Sequence, residues 1–176
     1  PDGVVVTDAR VTPVHGGYDL VVPAELADAA LARLARFRLR VACELTVEGA
    51  ADGPFATLGE RVGAGWPGTP EFARGLSPHA FGGAVVAATV SFTKGCYVGQ
   101  ELVARLDSRG ARTPFRLVRA TGPDASAVDE VLRSAGPAGA SGVTTAVKRG
   151  ARIEALGVAH RSLADGAHGA VAVESL

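Results

Sequence analysis

Methionine is absent from this sequence of 176 residues, and cysteine, tryptophan and the other aromatic residues are scarce. The two cysteines, Cys43 and Cys96, stand far apart, which does not indicate a disulfide framework. Such sparing use of cysteine suits a reducing compartment, so we expect a cytoplasmic protein. No apolar run has the length of a membrane span, and no charged-then-apolar leader opens the chain, so neither a membrane protein nor a secreted one is expected.

The composition, 47% hydrophobic and 20% charged, is typical of a globular protein with room for one domain or two small ones. Since the chain begins at Pro1 and has no methionine, we expect residues to be missing at its N-terminus. No Walker A motif, dinucleotide-binding fingerprint or Cys/His spacing typical of zinc occurs. No metal site is therefore predicted.

Positive and negative charges balance over the whole chain, but they are unevenly distributed along it. Residues 94–119 combine six basic side chains with two acidic ones, while the segments before and after them are weakly acidic. A multiply anionic ligand would suit this basic strip. The alternative is a solvated face whose arginines form ordinary ion pairs, and the sequence leaves both interpretations open.

The strip begins with the segment Lys94–Glu101, which reads Lys-Gly-Cys-Tyr-Val-Gly-Gln-Glu. Apolar residues at helical spacing follow it, and they predict a helix that starts near Gly99 and stops at Gly110. Cys96 would then lie just ahead of a helix N-terminus, with the positive charge of Lys94 nearby. Both effects favour the thiolate, which is the reactive form of cysteine. We therefore predict Cys96 and Lys94 as the reactive residues of a functional site.

The segment Lys94–Glu101 also matches every fixed position of the Lys-Gly-Cys-Tyr-x-Gly-Gln-Glu signature. The chain thus resembles the YgfZ-like folate-binding proteins, relatives of the glycine-cleavage T-protein, an aminomethyltransferase. The continuation Leu102–Arg105, followed by Arg109 and Gly110, is similar to that family as well. Outside the motif the resemblance extends over most of the chain in a softer form.

The resemblance implies an α+β fold: a partial T-protein-like folate-binding domain over residues 1–113, with helices packed on a sheet, and a small C-terminal β-barrel over residues 114–176. It also implies a protein that binds tetrahydrofolate and supports the assembly or repair of iron–sulfur proteins, including tRNA-modifying iron–sulfur enzymes. True aminomethyltransferases lack the cysteine motif. Iron–sulfur proteins are then possible partners.

Two other functions remain open, and the sequence does not decide whether the protein is an enzyme. One is a folate-dependent one-carbon transferase of the aminomethyl type, or a transferase with a cysteine nucleophile. The other is a non-catalytic scaffold that binds RNA or protein through the arginines of the basic strip. Direct nucleic-acid binding is not the leading expectation.

Four further residues of the motif, one arginine just after it and one tryptophan are candidates for holding the folate. Gln100 and Glu101 carry the acceptors and donors that a pterin edge requires, although Glu101 also suits the first turn of a helix. Tyr97 and Trp66 could stack on a planar heterocycle or simply anchor their loops. The remaining candidates are Gly99, through close backbone approach, and Arg105, through its charge.

His79 follows Ser77 and Pro78, where relatives in the family more often carry a glutamate. An acidic contribution from this position is therefore in doubt. The histidine instead raises the possibility of a cysteine–histidine pair with Cys96.

The pattern along the chain predicts mainly strands. In the first half, strands are expected over Gly3–Val14, Tyr18–Val22, Leu39–Val47 and Ala84–Phe92, with a helix beginning at Pro23 and mostly loop over residues 49–83. Cys43 would lie in the core within its strand. After a boundary near residues 112–114, short strands between glycine-rich turns predict a small barrel or sandwich: Phe115–Ala120, Gly142–Val147, Glu154–Ala159 and Ala170–Val173.

Overall fold

The computed structural model describes residues 3–49, 53–110 and 112–176, which form a mixed α+β architecture with two antiparallel sheets. The helices are α1 (Ala27–Phe37), α2 (Leu58–Gly63), α3 (Thr69–Phe72), α4 (Gly83–Thr89), α5 (Gln100–Ser108) and α6 (Ala125–Arg133). The strands are β1 (Arg10–Val14), β2 (Gly17–Val21), β3 (Phe115–Gly122), β4 (Gly142–Arg149), β5 (Arg152–His160), β6 (Gly166–His168) and β7 (Val171–Ser175). Short 3-10 helices occupy Ala24–Leu26 and Pro78–Phe81.

The first sheet is the two-stranded hairpin of β1 and β2, and it confirms the predicted strand–turn–strand–helix order. Val14 pairs with Gly17 across a tight turn, and α1 follows after the 3-10 helix. The prediction of a strand over Leu39–Val47 is wrong. Arg40 has a φ of 60°, outside the strand region, and Leu39 is 75% exposed. Cys43 is accordingly an exposed residue, and its prediction as a core residue is wrong as well.

The second sheet has five antiparallel strands in the order β4-β5-β3-β7-β6, and it confirms the strands predicted in the C-terminal half. The central strand β3 pairs along its whole length with β5, from Phe115 opposite His160 to Gly122 opposite Ile153. The sheet stays open, with β4 and β6 at its edges. The predicted closure into a barrel is therefore wrong.

The sheet is open because helices cover both of its faces. Side chains alternate across the sheet, so Val118 and Ala120 of β3 face one core cluster while Leu117 faces another. The first cluster is completed by α6, and the second by the segments around α2, α3 and α4. The interior of a small closed barrel is filled by strand side chains, so closure would displace the helices that pack on one of the two faces.

Helix α6 was not predicted, although it carries much of the first core cluster. Asp124 caps it by accepting a hydrogen bond from the Ala127 amide at 2.9 Å, and Val128 and Leu132 are fully buried one turn apart. The helix packs closely on β5 at Gly157, where a β-carbon would collide with the Leu132 side chain and lie 2.8 Å from the Gly142 carbonyl oxygen. A glycine is therefore required at this strand position.

The predicted strand over Ala84–Phe92 is wrong, because α4 occupies most of this segment. Val85 and Val86 are buried in or beside the second core cluster, while the alanines around them are exposed. That cluster also contains Leu117 and Leu156 of the five-stranded sheet. Residues on both sides of the predicted domain boundary thus share one core.

A buried polar network fixes the second cluster to β4. The Glu71 side chain is fully buried and accepts hydrogen bonds from Arg61 Nη1 at 2.8 Å, the Gly68 amide at 2.8 Å and Thr145 Oγ1 at 2.6 Å. Arg61 also donates to the Trp66 carbonyl at 2.9 Å and to Thr145 at 3.1 Å. Each member is paired, as a buried charge requires.

Candidate functional site

Helix α5 begins where the sequence predicts, directly after Gly99. This glycine is the N-cap residue and has a φ of 84°, in the left-handed region that favours glycine. A β-carbon at this position would lie 2.9 Å from the Cα of Gly3. Gly99 is therefore needed for the turn into the helix and for the close approach of another backbone segment.

The segment before the helix is held by a reciprocal contact between Tyr97 and Gln100. The Tyr97 amide donates to Gln100 Oε1 at 3.3 Å, and the Gln100 amide donates to the Tyr97 carbonyl at 3.2 Å. These two bonds close a turn over the helix start, where free amide groups need partners. The Gln100 side-chain oxygen thus has a structural role, and its NH2 group is the part left for a ligand.

Lys94 lies against Tyr97. Its ammonium group is 5.0 Å from the centroid of the tyrosine ring, a cation–π contact. The Tyr97 hydroxyl is buried and has no hydrogen-bond partner among the described residues. Buried hydroxyls are normally paired, so this group is a candidate for a ligand contact.

Cys96 is exposed as a free thiol. It lies three residues ahead of the N-cap of α5, as predicted, but no hydrogen bond joins it to His79. His79 instead faces Asp107 of α5, with 3.8 Å between its Nε2 and the Asp107 Oδ1. The structure therefore offers no support for a cysteine–histidine pair.

A surface cavity of about 520 Å³ lies beside the motif. Five of the predicted ligand residues line it together with Leu102: Tyr97, Gly99, Gln100, Glu101 and Arg105. Leu102 was not predicted as a site residue, although it lies one helical turn before Arg105 on the same face. Glu101 forms an ion pair with Arg105, so these two charges neutralise each other at the rim of the cavity.

Trp66 does not line this cavity. Its Nε1 donates to Asp8 Oδ2 at 2.8 Å, and its ring packs against the second core cluster. These contacts correspond to the anchoring role that was the alternative to stacking on a ligand. The tryptophan fixes the chain near Asp8 to the loop between α2 and α3.

The basic strip divides into paired and unpaired arginines. Arg105, Arg116 and Arg119 form ion pairs with Glu101, Asp165 and Glu174, respectively. Ordinary ion pairing, the alternative interpretation of the strip, therefore accounts for these three. Arg109 and Arg112 have no acidic partner within residues 3–49, 53–110 and 112–176.

The cavity combines polar side chains with the apolar side chain of Leu102. Its volume lies within the range of about 300–1,000 Å³ that is usual for small-molecule sites. The Gln100 amide, the Glu101 carboxylate and the Arg105 guanidinium provide donors and acceptors along its lining. Across the described part of the chain, no three His, Cys, Asp or Glu side chains lie close enough to hold a metal ion.

Replacement by alanine should change the free energy of unfolding very differently at the two glycines on either side of Cys96 in the motif. Gly99→Ala should lower the free energy of unfolding by about 1–3 kcal/mol, because it forces a side chain into the left-handed region. Gly95 has open space around it, so Gly95→Ala should stay within about 0.5 kcal/mol of the parent protein. Urea unfolding of both variants measures this, and equal losses would contradict the assigned role of Gly99.

No family model, curated protein or solved structure matched this chain when it was compared with them. Among the described residues, no helix is long and apolar enough to cross a membrane.

Proposed function

We propose that the protein is a YgfZ-like, tetrahydrofolate-binding protein of the cytoplasm that supports the assembly or repair of iron–sulfur proteins through Cys96. These include tRNA-modifying iron–sulfur enzymes. One observation carries the proposal: residues 94–105, which hold the family signature, fold into an exposed thiol beside a cavity lined by Tyr97, Gly99, Gln100, Glu101 and Arg105.

The cavity residues would each contact a different part of the folate. The Gln100 NH2 group and the Glu101 carboxylate would pair with the acceptor and donor atoms of the pterin edge. The Tyr97 ring would offer an apolar contact, and its unpaired hydroxyl a further hydrogen bond. Arg105 would meet the carboxylates of the glutamate tail, at the expense of its pair with Glu101. The bound tetrahydrofolate supplies a reduced pterin able to carry one-carbon units.

The geometry around Cys96 favours this function over a transferase with a cysteine nucleophile. Such an enzyme activates its thiol with a base within hydrogen-bond reach. Cys96 has no hydrogen-bond partner among the described residues, and His79 is directed toward Asp107. An exposed thiol without a fixed base is accessible to a protein partner, which suits a supporting role.

Titration calorimetry with tetrahydrofolate tests the ligand. The intact protein should bind it, and Gln100→Ala and Glu101→Gln should each weaken binding about tenfold, the effect of losing one hydrogen bond of roughly 1.4 kcal/mol. Trp66→Phe is the matched control, since it removes a hydrogen bond outside the cavity and should leave the affinity within about twofold. Absence of binding, or equal losses in all three variants, would remove tetrahydrofolate from the proposal.

The same titration with polyglutamyl tetrahydrofolate tests the role of Arg105. The added carboxylates should tighten binding, and Arg105→Gln should abolish that gain while leaving the affinity for the monoglutamyl form nearly unchanged. Equal affinities of the parent protein for the two forms would show that the glutamate tail lies away from this arginine.

A further inference from the structure

A second cavity, of about 540 Å³, lies at the other end of the basic strip. It is bordered by the 3-10 helix Pro78–Phe81, the segment leading into β3, and the residues that follow β5. We call it the arginine cavity, because Arg112, Arg116 and Arg161 all line it together with His79. None of its lining residues borders the cavity beside Cys96.

One of the three arginines is already neutralised. Arg116 donates to Asp165 Oδ1 at 2.9 Å and also to the Leu163 carbonyl. Asp165, the only acidic side chain among the described residues that line the cavity, accepts a second hydrogen bond from Ser175 Oγ at 2.9 Å. Burial tends to raise the pKa of Asp165, but the Ser175 hydrogen bond and the Arg116 charge outweigh it and hold that pKa below its usual value. This pair is therefore ionic and complete.

The other two arginines have no acidic partner in the described part of the chain. Arg161 Nη1 makes a single long contact, 3.5 Å, with the Arg112 carbonyl, and the Arg161 amide donates to the Pro114 carbonyl at 2.9 Å. These contacts hold the two residues together on one wall. Two positive charges that line one cavity make it attractive to an anion.

His79 adds a third polar group, one that lacks a hydrogen-bond partner among the described residues. Both of its ring nitrogens are buried and lack a hydrogen-bond partner among the described residues. The nearest carboxylate, that of Asp107, is 3.8 Å away, which is beyond hydrogen-bond distance. Buried polar atoms are nearly always paired, so this imidazole is a candidate for a ligand contact.

We propose that the arginine cavity binds the phosphate group of a phosphorylated small molecule, with Arg112, Arg161 and His79 as its donors. The planar guanidinium fork matches phosphate oxygens, and two unpaired positive charges match a phosphate dianion. The cavity is much larger than one phosphate ion, and Leu163 and Ala164 give it an apolar wall for the body of the molecule. The proposal does not depend on folate binding.

Calorimetric titration of the full chain at constant ionic strength tests this site with three probes: inorganic phosphate, phenyl phosphate and triglutamate. Phenyl phosphate should bind more tightly than inorganic phosphate, because its ring reaches the apolar wall. Arg112→Gln and Arg161→Gln should each weaken phenyl phosphate binding at least tenfold. Arg109→Gln, in the same basic strip but outside the cavity, should change it less than twofold.

His79→Leu separates a ligand-binding role from a structural one. Without phosphate the variant should melt at or above the temperature of the parent protein, because an unpaired buried imidazole is lost. With phenyl phosphate it should gain less thermal stability than the parent does. The proposal fails if neither phosphate probe binds, or if triglutamate binds as tightly as phenyl phosphate. It also fails if Arg109→Gln weakens binding as much as the cavity variants do, or if His79→Leu alone unfolds the protein.

Discussion

Glu71→Ala should lower the free energy of unfolding by about 3–5 kcal/mol, the usual cost of removing one partner from a buried ion pair. The carboxylate is fully buried and receives three hydrogen bonds, from Arg61, Gly68 and Thr145. Its loss leaves the Arg61 charge and the Thr145 hydroxyl without their partner in the interior. Urea unfolding followed by circular dichroism measures the change.

Glu101→Ala is the matched control for this loss. It also removes a glutamate from an arginine ion pair, but Glu101 is exposed on α5 and pairs with Arg105 one turn away. Exposed pairs of this kind contribute about 0.3–0.5 kcal/mol. A loss at Glu71 as small as the loss at Glu101 would show that the buried network does not stabilise the fold.

A double-mutant cycle identifies the source of the Glu71 effect. Arg61→Met should be destabilising alone, because it leaves a buried carboxylate without its cation. Combined with Glu71→Leu, it should cost less than the sum of the two single changes, since no buried charge then remains. Additive losses would attribute the effect to side-chain packing.

The elements with signals inside their own segment could be predicted from the sequence. Helix α5 is an example: Gly99 and Gly110 mark its limits, and its apolar residues recur at helical spacing. The hairpin of β1 and β2 is another, with a glycine turn between two β-rich segments. In both cases neighbouring residues determine the structure, so no knowledge of distant contacts is needed.

Elements that depend on distant contacts were mispredicted. The apolar run that forms α4 has no periodicity that separates a buried strand from a buried helix, and its alanines favour the helix. Leu39–Val47 has the composition of a strand but gains no strand partner among the described residues. Helix α6 is an exception, because its capping residue Asp124 and the spacing of Val128 and Leu132 are local signals from which it could have been predicted.

The candidate site shows the same division between residues placed by their sequence neighbours and residues placed by distant contacts. Tyr97, Gly99, Gln100, Glu101 and Arg105 lie together because they are neighbours around one helix start. Trp66 is remote in sequence, and its place was decided by packing against the second core cluster and by Asp8. The arginine cavity joins residues from four parts of the chain, so no local motif could have revealed it.

Cys96→Ser should abolish the ability of the protein to restore iron–sulfur enzyme activity in cells that lack their own version of this protein. The thiol is exposed and makes no hydrogen bond with another described residue, so its replacement should change the free energy of unfolding by less than about 1 kcal/mol. Tetrahydrofolate binding should also persist, because the proposed pterin contacts come from the cavity residues. The variant thus separates the function of the thiol from folding and from ligand binding.

Cys43→Ser is the matched control, because Cys43 is also a free, exposed cysteine but lies outside the motif. If the loss of any surface thiol impaired the restoration of iron–sulfur enzyme activity, both variants would be impaired equally. A specific role of Cys96 requires that Cys96→Ser alone fails to restore this activity. Restoration by Cys96→Ser at the level of the parent protein would show that the thiol is not the working group. The motif would then act by shaping the cavity, and a scaffold that binds its partner without cysteine chemistry would become the better explanation.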